Sequence, residues 1–372
     1  MSQLNTAILS EPTPRSTEAS GIDHVEMYVG NAVQAAHFYA TALGLTPIGF
    51  AGPSTGLSDR MSFLMSSGNI RLILTSPSTL DGPISDHVLK HSDSVSDIAL
   101  RVADVGVAFE QAVRSGAHPV KAPTVLEDDS GCIVKATVAA FGDLSHSFIE
   151  HRRQSALPLP GFQPICHTLP VAPTNVTAID HVAISVEGGQ LGSVVDFYET
   201  AFGFKESQSE TIATDYSGMN SKVVQSESGG VKLPLVEPAP GARKSPIQEY
   251  LTFHNGPGVH HLAFSTPDIL DSARTLRRSG VCFMGTPRAY YEMLPARVGT
   301  IDESIEELAD LGILVDREGE GYLLQVFTTP LQPRPTLSLE IIQRKNAHGF
   351  GTGNIRALFQ AIEREQLRRG NA

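Results

Sequence analysis

A long-range repeat constrains this chain more than any single residue in it. Gly21-Ile-Asp-His-Val-Glu-Met-Tyr-Val29 is echoed by Ala178-Ile-Asp-His-Val-Ala-Ile-Ser-Val186. Each segment leads into a helix-like stretch, 36–45 or 196–204, with a Gly after the last periodic residue as a stop signal. Extended runs closed by Pro follow at 70–77 and 231–238. Asp97-Ile-Ala-Leu-Arg-Val102 then matches His261-Leu-Ala-Phe-Ser-Thr266, and each precedes a helix ending in Arg114-Ser-Gly116 or Arg278-Ser-Gly280. Ser147-Phe-Ile-Glu150 aligns with Leu337-Ser-Leu-Glu340. Self-similarity at this scale decides the architecture before any motif does.

Inside each half, a unit of strand, helix and hairpin strands occurs twice, an α+β pattern rather than alternating βαβ. The expected organisation is a tail over residues 1–20, an N-terminal domain over 21–153, a linker over 154–176 and a C-terminal domain over 177–372. The tail is rich in Ser, Thr and Pro and lacks the apolar core of a signal peptide. The linker contains Leu157-Pro-Leu-Pro-Gly-Phe-Gln-Pro164, whose prolines predict that it continues no sheet. At 372 residues, the chain has room for two domains with a core each.

Three polar residues interrupt apolar strands of the second half: His181, His261 and Glu340. A carboxylate or imidazole buried without a partner costs several kcal/mol, so each is expected to be paired or metal-bound. Two neutral imidazoles and one carboxylate form the facial set that holds non-heme Fe(II) and leaves positions open for substrate and dioxygen. The repeat supplies the geometry: if two units join edge to edge, both first strands lie centrally and their inward side chains meet. The first half carries His24, Asp97 and Glu150 at the places this alignment matches, which could hold a weaker metal. His260, adjacent to His261 on its strand, is expected to face away from the ion, either as a support behind the ligands or as the mark of a different substrate.

Composition narrows the partners. A net charge of −12 disfavours nucleic acid and anionic membranes. No apolar run approaches the roughly twenty residues of a membrane span. Cys132, Cys166 and Cys282 are too scattered for a disulfide framework or a C-x-x-C site, which suggests reduced thiols in a cytoplasmic protein.

From Gly21 onward, the chain resembles the two-domain Fe(II) enzymes that act on 4-hydroxyphenylpyruvate, within the vicinal-oxygen-chelate superfamily. The resemblance rests on Ile247-Gln-Glu-Tyr-Leu251, Gly321-Tyr-Leu-Leu-Gln-Val-Phe-Thr328, Arg334-Pro-Thr-Leu337 and Gly349-Phe-Gly-Thr-Gly-Asn-Ile-Arg-Ala-Leu-Phe359. It implies two tandem domains of paired βαβββ units, each a curled, barrel-like sheet with helices outside. It also implies Fe(II) on His181, His261 and Glu340, and a homodimer or homotetramer. Further implied roles are hydrogen bonds to substrate from Gln325 and Gln248, a phenol contact at Ser221, aromatic walls at Phe327 and Phe350, and a lid helix after Asn354.

Two activities share this scaffold. Both consume 4-hydroxyphenylpyruvate and O2 and release CO2; one hydroxylates the benzylic carbon to give 4-hydroxymandelate, the other the ring to give homogentisate. Val236 and Ile355 stand where the ring-hydroxylating dioxygenases carry Asn and Phe, and the resemblance to the mandelate synthases is stronger there. The expectation is therefore mandelate formation, with homogentisate as the alternative. Pro234 and the C-terminal tail point to the alternative. A third possibility is a non-catalytic small-molecule binder of the same fold.

Overall fold

The computed structural model describes residues 18–129, 131–153, 157–165 and 169–371. Most of the expected tail, part of the linker and Cys166 lie outside them. The N-terminal half runs β1 (Ala19–Tyr28), α1 (Ala32–Thr41), β2 (Thr46–Ala51), β3 (Arg60–Ser67), β4 (Ile70–Pro77) and α2 (Pro83–His91). Its second unit is β5 (Ser94–Val102), α3 (Val105–Arg114), β6 (His118–Asp128), β7 (Gly131–Ala139) and β8 (Ser145–Arg153). A two-residue β9 (Gln163–Pro164) follows.

The C-terminal half repeats this plan with β10 (Ala178–Ser185), α4 (Leu191–Phe202), β11 (Lys205–Ala213), β12 (Gly218–Gln225), β13 (Lys232–Ala239) and α5 (Pro246–His254). It continues with β14 (Gly258–Ser265), α6 (Ile269–Arg278), the short helices α7 (Arg288–Glu292), α8 (Leu294–Val298) and α9 (Ile305–Leu311), then β15 (Leu314–Glu318), β16 (Gly321–Phe327) and β17 (Ser338–Lys345). Helix α10 (Thr352–Arg369) ends the described chain.

Each half forms one curled sheet. The strand orders are β6-β7-β8-β5-β1-β4-β3-β2-β9 and β11-β12-β13-β10-β14-β17-β16-β15. The first strands of the two units, β10 and β14, lie side by side at the centre and run antiparallel, as the edge-to-edge joining of repeats requires. The α+β fold expected from the repeat is therefore present.

The duplication extends to details that fix local structure. Asp104 and Asp268 cap α3 and α6 by accepting a hydrogen bond from the backbone N–H three residues on, satisfying a donor the helix leaves open. Gly203 ends α4 at φ 67°, a conformation costly for a residue with a Cβ.

Three expectations change. The linker does continue a sheet: Gln163–Pro164 pairs with Gly49 and Phe50 of β2. It does so at an edge, where the N–H missing from proline breaks no interior ladder. The two halves also share a core. One contiguous buried cluster contains Val25 and Leu100 from the first half with Val182 and Leu262 from the second. Tyr198 of α4 reaches across to His146 of β8, with Oη and Nε2 2.9 Å apart.

The third change concerns the alignment itself. Asp97 pairs with Ser145, and His261 with Ser338, so Ser147 is the equivalent of Glu340, and Glu150 is the equivalent of Gln343. Glu150 accepts a hydrogen bond from Val105 N–H, and Gln343 from Ile269 N–H, the first residues of α3 and α6. Glu150 thus serves a helix end, and the alignment through Leu337-Ser-Leu-Glu340 was three residues out of register.

Candidate metal centre

Strand periodicity builds the site. Side chains two apart share a face, and the inward rows are His181 and Ala183 on β10, Gln208 and Glu210 on β11, and Met219, Ser221 and Val223 on β12. Pro234 and Val236 of β13, His261 of β14, Gln325 and Phe327 of β16 and Glu340 of β17 complete the wall. Phe350, Ile355 and Leu358, before and on α10, close the cavity, whose volume is about 630 Å³ and partly open to solvent.

One ligand atom from each of His181, His261 and Glu340 lies within 4.8 Å of the others, the only such group of His, Cys, Asp and Glu among the described residues. Glu340 Oε2 is 3.1 Å from His181 Nε2 and 3.4 Å from His261 Nε2. His181 and Glu340 are buried and His261 is nearly so.

The outer contacts point both Nε2 atoms inward. His181 Nδ1 lies 2.8 Å from Asp180 Oδ1, and Asp180 is gripped by two nitrogens of Arg344 at 2.7 and 2.8 Å. A carboxylate behind a ligand imidazole fixes its tautomer and strengthens it as a donor. Burial alone would raise the Asp180 pKa, but Arg344 and His181 hold it well below the usual carboxylate range. Burial likewise opposes charge on His181, yet the carboxylates of Glu340 and Asp180 push it up to about 9. Glu340, against its own burial, is drawn down to about 2 by the two imidazoles. Burial lowers the His261 pKa. This concentration of negative charge with inward donor nitrogens suits a divalent cation, which would take the place of the proton on His181.

His260 sits at an irregularity of its strand. Ala183 pairs with His261 and Ile184 with Val259, so His260 is the extra residue of a β-bulge. The bulge turns its ring onto its neighbour, with the two Nδ1 atoms 3.0 Å apart. His260 therefore backs His261 and stays out of the lining of the metal cavity, so it does not face the ion.

Gln325 is fixed at both ends. Its Nε2 donates to Glu340 Oε1 at 2.9 Å and its Oε1 accepts from Asn354 Nδ2 at 3.0 Å. Asn354 Oδ1 accepts from Tyr290 and Arg297. Phe350 meets His181 edge-on with ring centroids 5.3 Å apart, and Phe327 meets His261 at 5.5 Å. Gly351, at φ 72°, lets the chain pass so close to Gln325 that a Cβ would fall 2.4 Å from Oε1.

Of the residues expected at the site, His181, His261, Glu340, Gln325, Ser221, Val236, Phe327, Phe350 and Ile355 all line this cavity. Gln248 does not; it lies half-buried on α5, outside the lining. Sequence reasoning missed Asp180, Arg344, Asn354, Gln208 and Glu210. The Ile-Asp-His triplet, present in both repeats, was the available signal for Asp180. In the first half, His24, Asp97 and Glu150 do not converge as a metal set. Asp97 accepts two hydrogen bonds from Ser147, the residue in Glu340's place.

The family described as the Glyoxalase/Bleomycin resistance protein/Dioxygenase superfamily matches residues 21–145 and 178–294. The chain is 39% identical over 384 residues to a 4-hydroxyphenylpyruvate dioxygenase of Yarrowia lipolytica, covering 96% of this chain and 97% of the relative. It is 40% identical over 364 residues to one of Dictyostelium discoideum, covering 94% and 99%. A substituted variant of 4-hydroxymandelate synthase from Streptomyces coelicolor superposes with a TM-score of 0.84 at 38% identity, covering 94% of this chain and 99% of that one.

Proposed function

This chain belongs to the 4-hydroxyphenylpyruvate dioxygenase and 4-hydroxymandelate synthase family of the glyoxalase/dioxygenase superfamily, and we propose that it oxidises 4-hydroxyphenylpyruvate with O2 on Fe(II), releasing CO2. The observation that carries this reading is the buried His181–His261–Glu340 set facing an aromatic-walled cavity. Held by these three side chains, Fe(II) would supply a template for the 2-oxo acid and the activation of dioxygen.

The chain's own residues do the rest. Asp180 and His260 aim the two imidazoles. Gln325 keeps one amide N–H for a substrate oxygen while the other is spent on Glu340. Phe327 and Phe350 wall the ligand end of the cavity, and Ser221 lies farther along β12 as a polar contact for the phenol. Helix α10 covers the site and excludes water; it is tied down by Gln208 to Thr352 at 2.8 Å and by Arg369 to Glu249.

For the product, the curated relatives favour homogentisate, so the leading reading is a 4-hydroxyphenylpyruvate dioxygenase. The mandelate expected from the sequence is the second reading, and one observation favours it: Val236 and Ile355 both face the cavity and pack in one cluster with Met219 and Phe359. Aliphatic side chains at those two points leave the ring without an amide or an aromatic wall to hold it, and a displacement of about 1 Å alters which carbon is in reach. The test is Fe(II)-loaded protein with 4-hydroxyphenylpyruvate and O2, and chromatography of the product against both standards. Homogentisate supports the leading reading, mandelate the second, and no CO2 release refutes both.

A further inference from the structure

We infer that the N-terminal half holds a second small-molecule site, for an aromatic hydroxy acid, in the cavity that corresponds to the metal-bearing one. That cavity, about 590 Å³ with the space open to solvent included, lies inside the first curled sheet, roofed by Leu159 and Phe162 of the linker.

Register identifies its polar groups. Tyr28 pairs with Thr75 as Ser185 pairs with Val236, and Ser62 pairs with Thr75 as Ser221 pairs with Val236. Ser62 therefore stands in the place of Ser221. Thr137 pairs with Ser147 as Phe327 pairs with Glu340, so Lys135, two residues earlier, stands in the place of Gln325. His24 keeps the place of His181. The substrate-facing positions remain polar, while the metal position is closed by Asp97 bonded to Ser147.

His24 is the observation that asks for a ligand. It is 1% exposed, lines the cavity, and its Nε2 is shielded from solvent without a hydrogen-bond partner. Its Nδ1 faces Asp23 at 2.9 Å, and Asp23 also receives Arg101 and His151. Asp23 thereby accepts from Nδ1–H, the tautomer in which Nε2 is an acceptor without a donor. A buried group in that state has a cost that a hydroxyl would remove.

The charge calls for an acid. Lys135 lines the cavity with one carboxylate, Glu26, while the charge of Arg60 is met by Asp59 at 2.7 Å. Lys135 has only a 3.5 Å approach to Asp97, whose oxygens already accept from Ser147. Leu126, Ile133 and Phe162 supply apolar walls for a ring. A carboxylate at Lys135, a hydroxyl donating to His24 and an aromatic body satisfy all three; no metal is needed. The assignment stands on register and on this cavity, whichever product the metal site makes.

The test is equilibrium binding of mandelate, with phenylacetate as the hydroxyl-free comparator, to the Fe(II)-loaded full chain without O2. We expect two equivalents of mandelate, with the second persisting in Glu340→Ala. Lys135→Met should weaken that second equivalent at least tenfold and leave turnover of 4-hydroxyphenylpyruvate unchanged, and Lys135→Arg should restore it. His24→Phe should erase the preference for mandelate over phenylacetate at this site. A single equivalent in the unmodified protein overturns the proposal, as does a second equivalent indifferent to Lys135→Met. Turnover in the same preparations reports separately on the metal site, so failure of one reading is not confused with failure of the other.

Discussion

Replacing Arg344 with Met probes how the metal centre is held. Arg344 makes two hydrogen bonds to Asp180, which in turn orients His181, and it donates to Gly349 O at 2.6 Å in the loop leading to Phe350. The Asp180 side chain is 8% exposed, so the variant strands a buried carboxylate. Breaking a buried pair in this way costs about 3–5 kcal/mol, whereas removing both charges is often nearly neutral. Arg344→Met is therefore expected to lose about that much stability to urea, and the double variant Asp180→Asn/Arg344→Met to recover most of it. Metal affinity should behave differently. Loss of the carboxylate behind a ligand histidine typically lowers it about 10–100-fold, and the double variant still lacks that carboxylate. Urea unfolding of the metal-free proteins and Fe(II) or Co(II) titrations would measure the two quantities. If the double variant recovered metal affinity along with stability, or if Arg344→Met changed neither, the chain of control from Arg344 through Asp180 to His181 would be refuted.

Glu340→Ala removes the one carboxylate of the triad, and metal titration and CO2 release should both fall to background; stoichiometric metal with normal turnover would sink the centre. Val236→Asn with Ile355→Phe should shift the product ratio toward homogentisate by at least tenfold if the two residues steer the ring, and an unchanged ratio on chromatography would make them packing residues. Acid should loosen the interface between the halves, where the ring of His91 lies 4.7 Å from that of His87 and 4.3 Å from that of His254. Burial and the neighbouring His91 lower His87 to about 4 and His254 to about 3, both below the ordinary 6.5. Because the folded-state values are depressed, the unfolded chain takes up protons first. The stability these rings contribute above pH 6.5 is lost on acidification, on the order of 2 kcal/mol for each by pH 5. Urea midpoints at pH 7.5 and 5 would show it, and equal midpoints in His87→Phe and unmodified protein at both pH values would count against it.

Sequence alone was enough to show two copies of one α+β unit pair, because backbone periodicity, Gly stops and Pro-closed strands are local and recur. It was also enough to pick out His181, His261 and Glu340, since an ionisable residue on an apolar strand is costly wherever that strand ends up. What lay between these anchors depended on register, which a sequence does not print. A shift of three residues made Glu150 resemble a ligand, and only the pairing of Asp97 with Ser145 placed Ser147 there instead. A bulge that adds one residue set His260 against His261, a contact that strand alternation does not give. Asp180, Arg344 and Asn354 act at long range in the chain and became visible only when hydrogen bonds brought 180 to 344 and 325 to 354. The residue types follow from local chemistry, but which way each one faces was decided by how the strands pair.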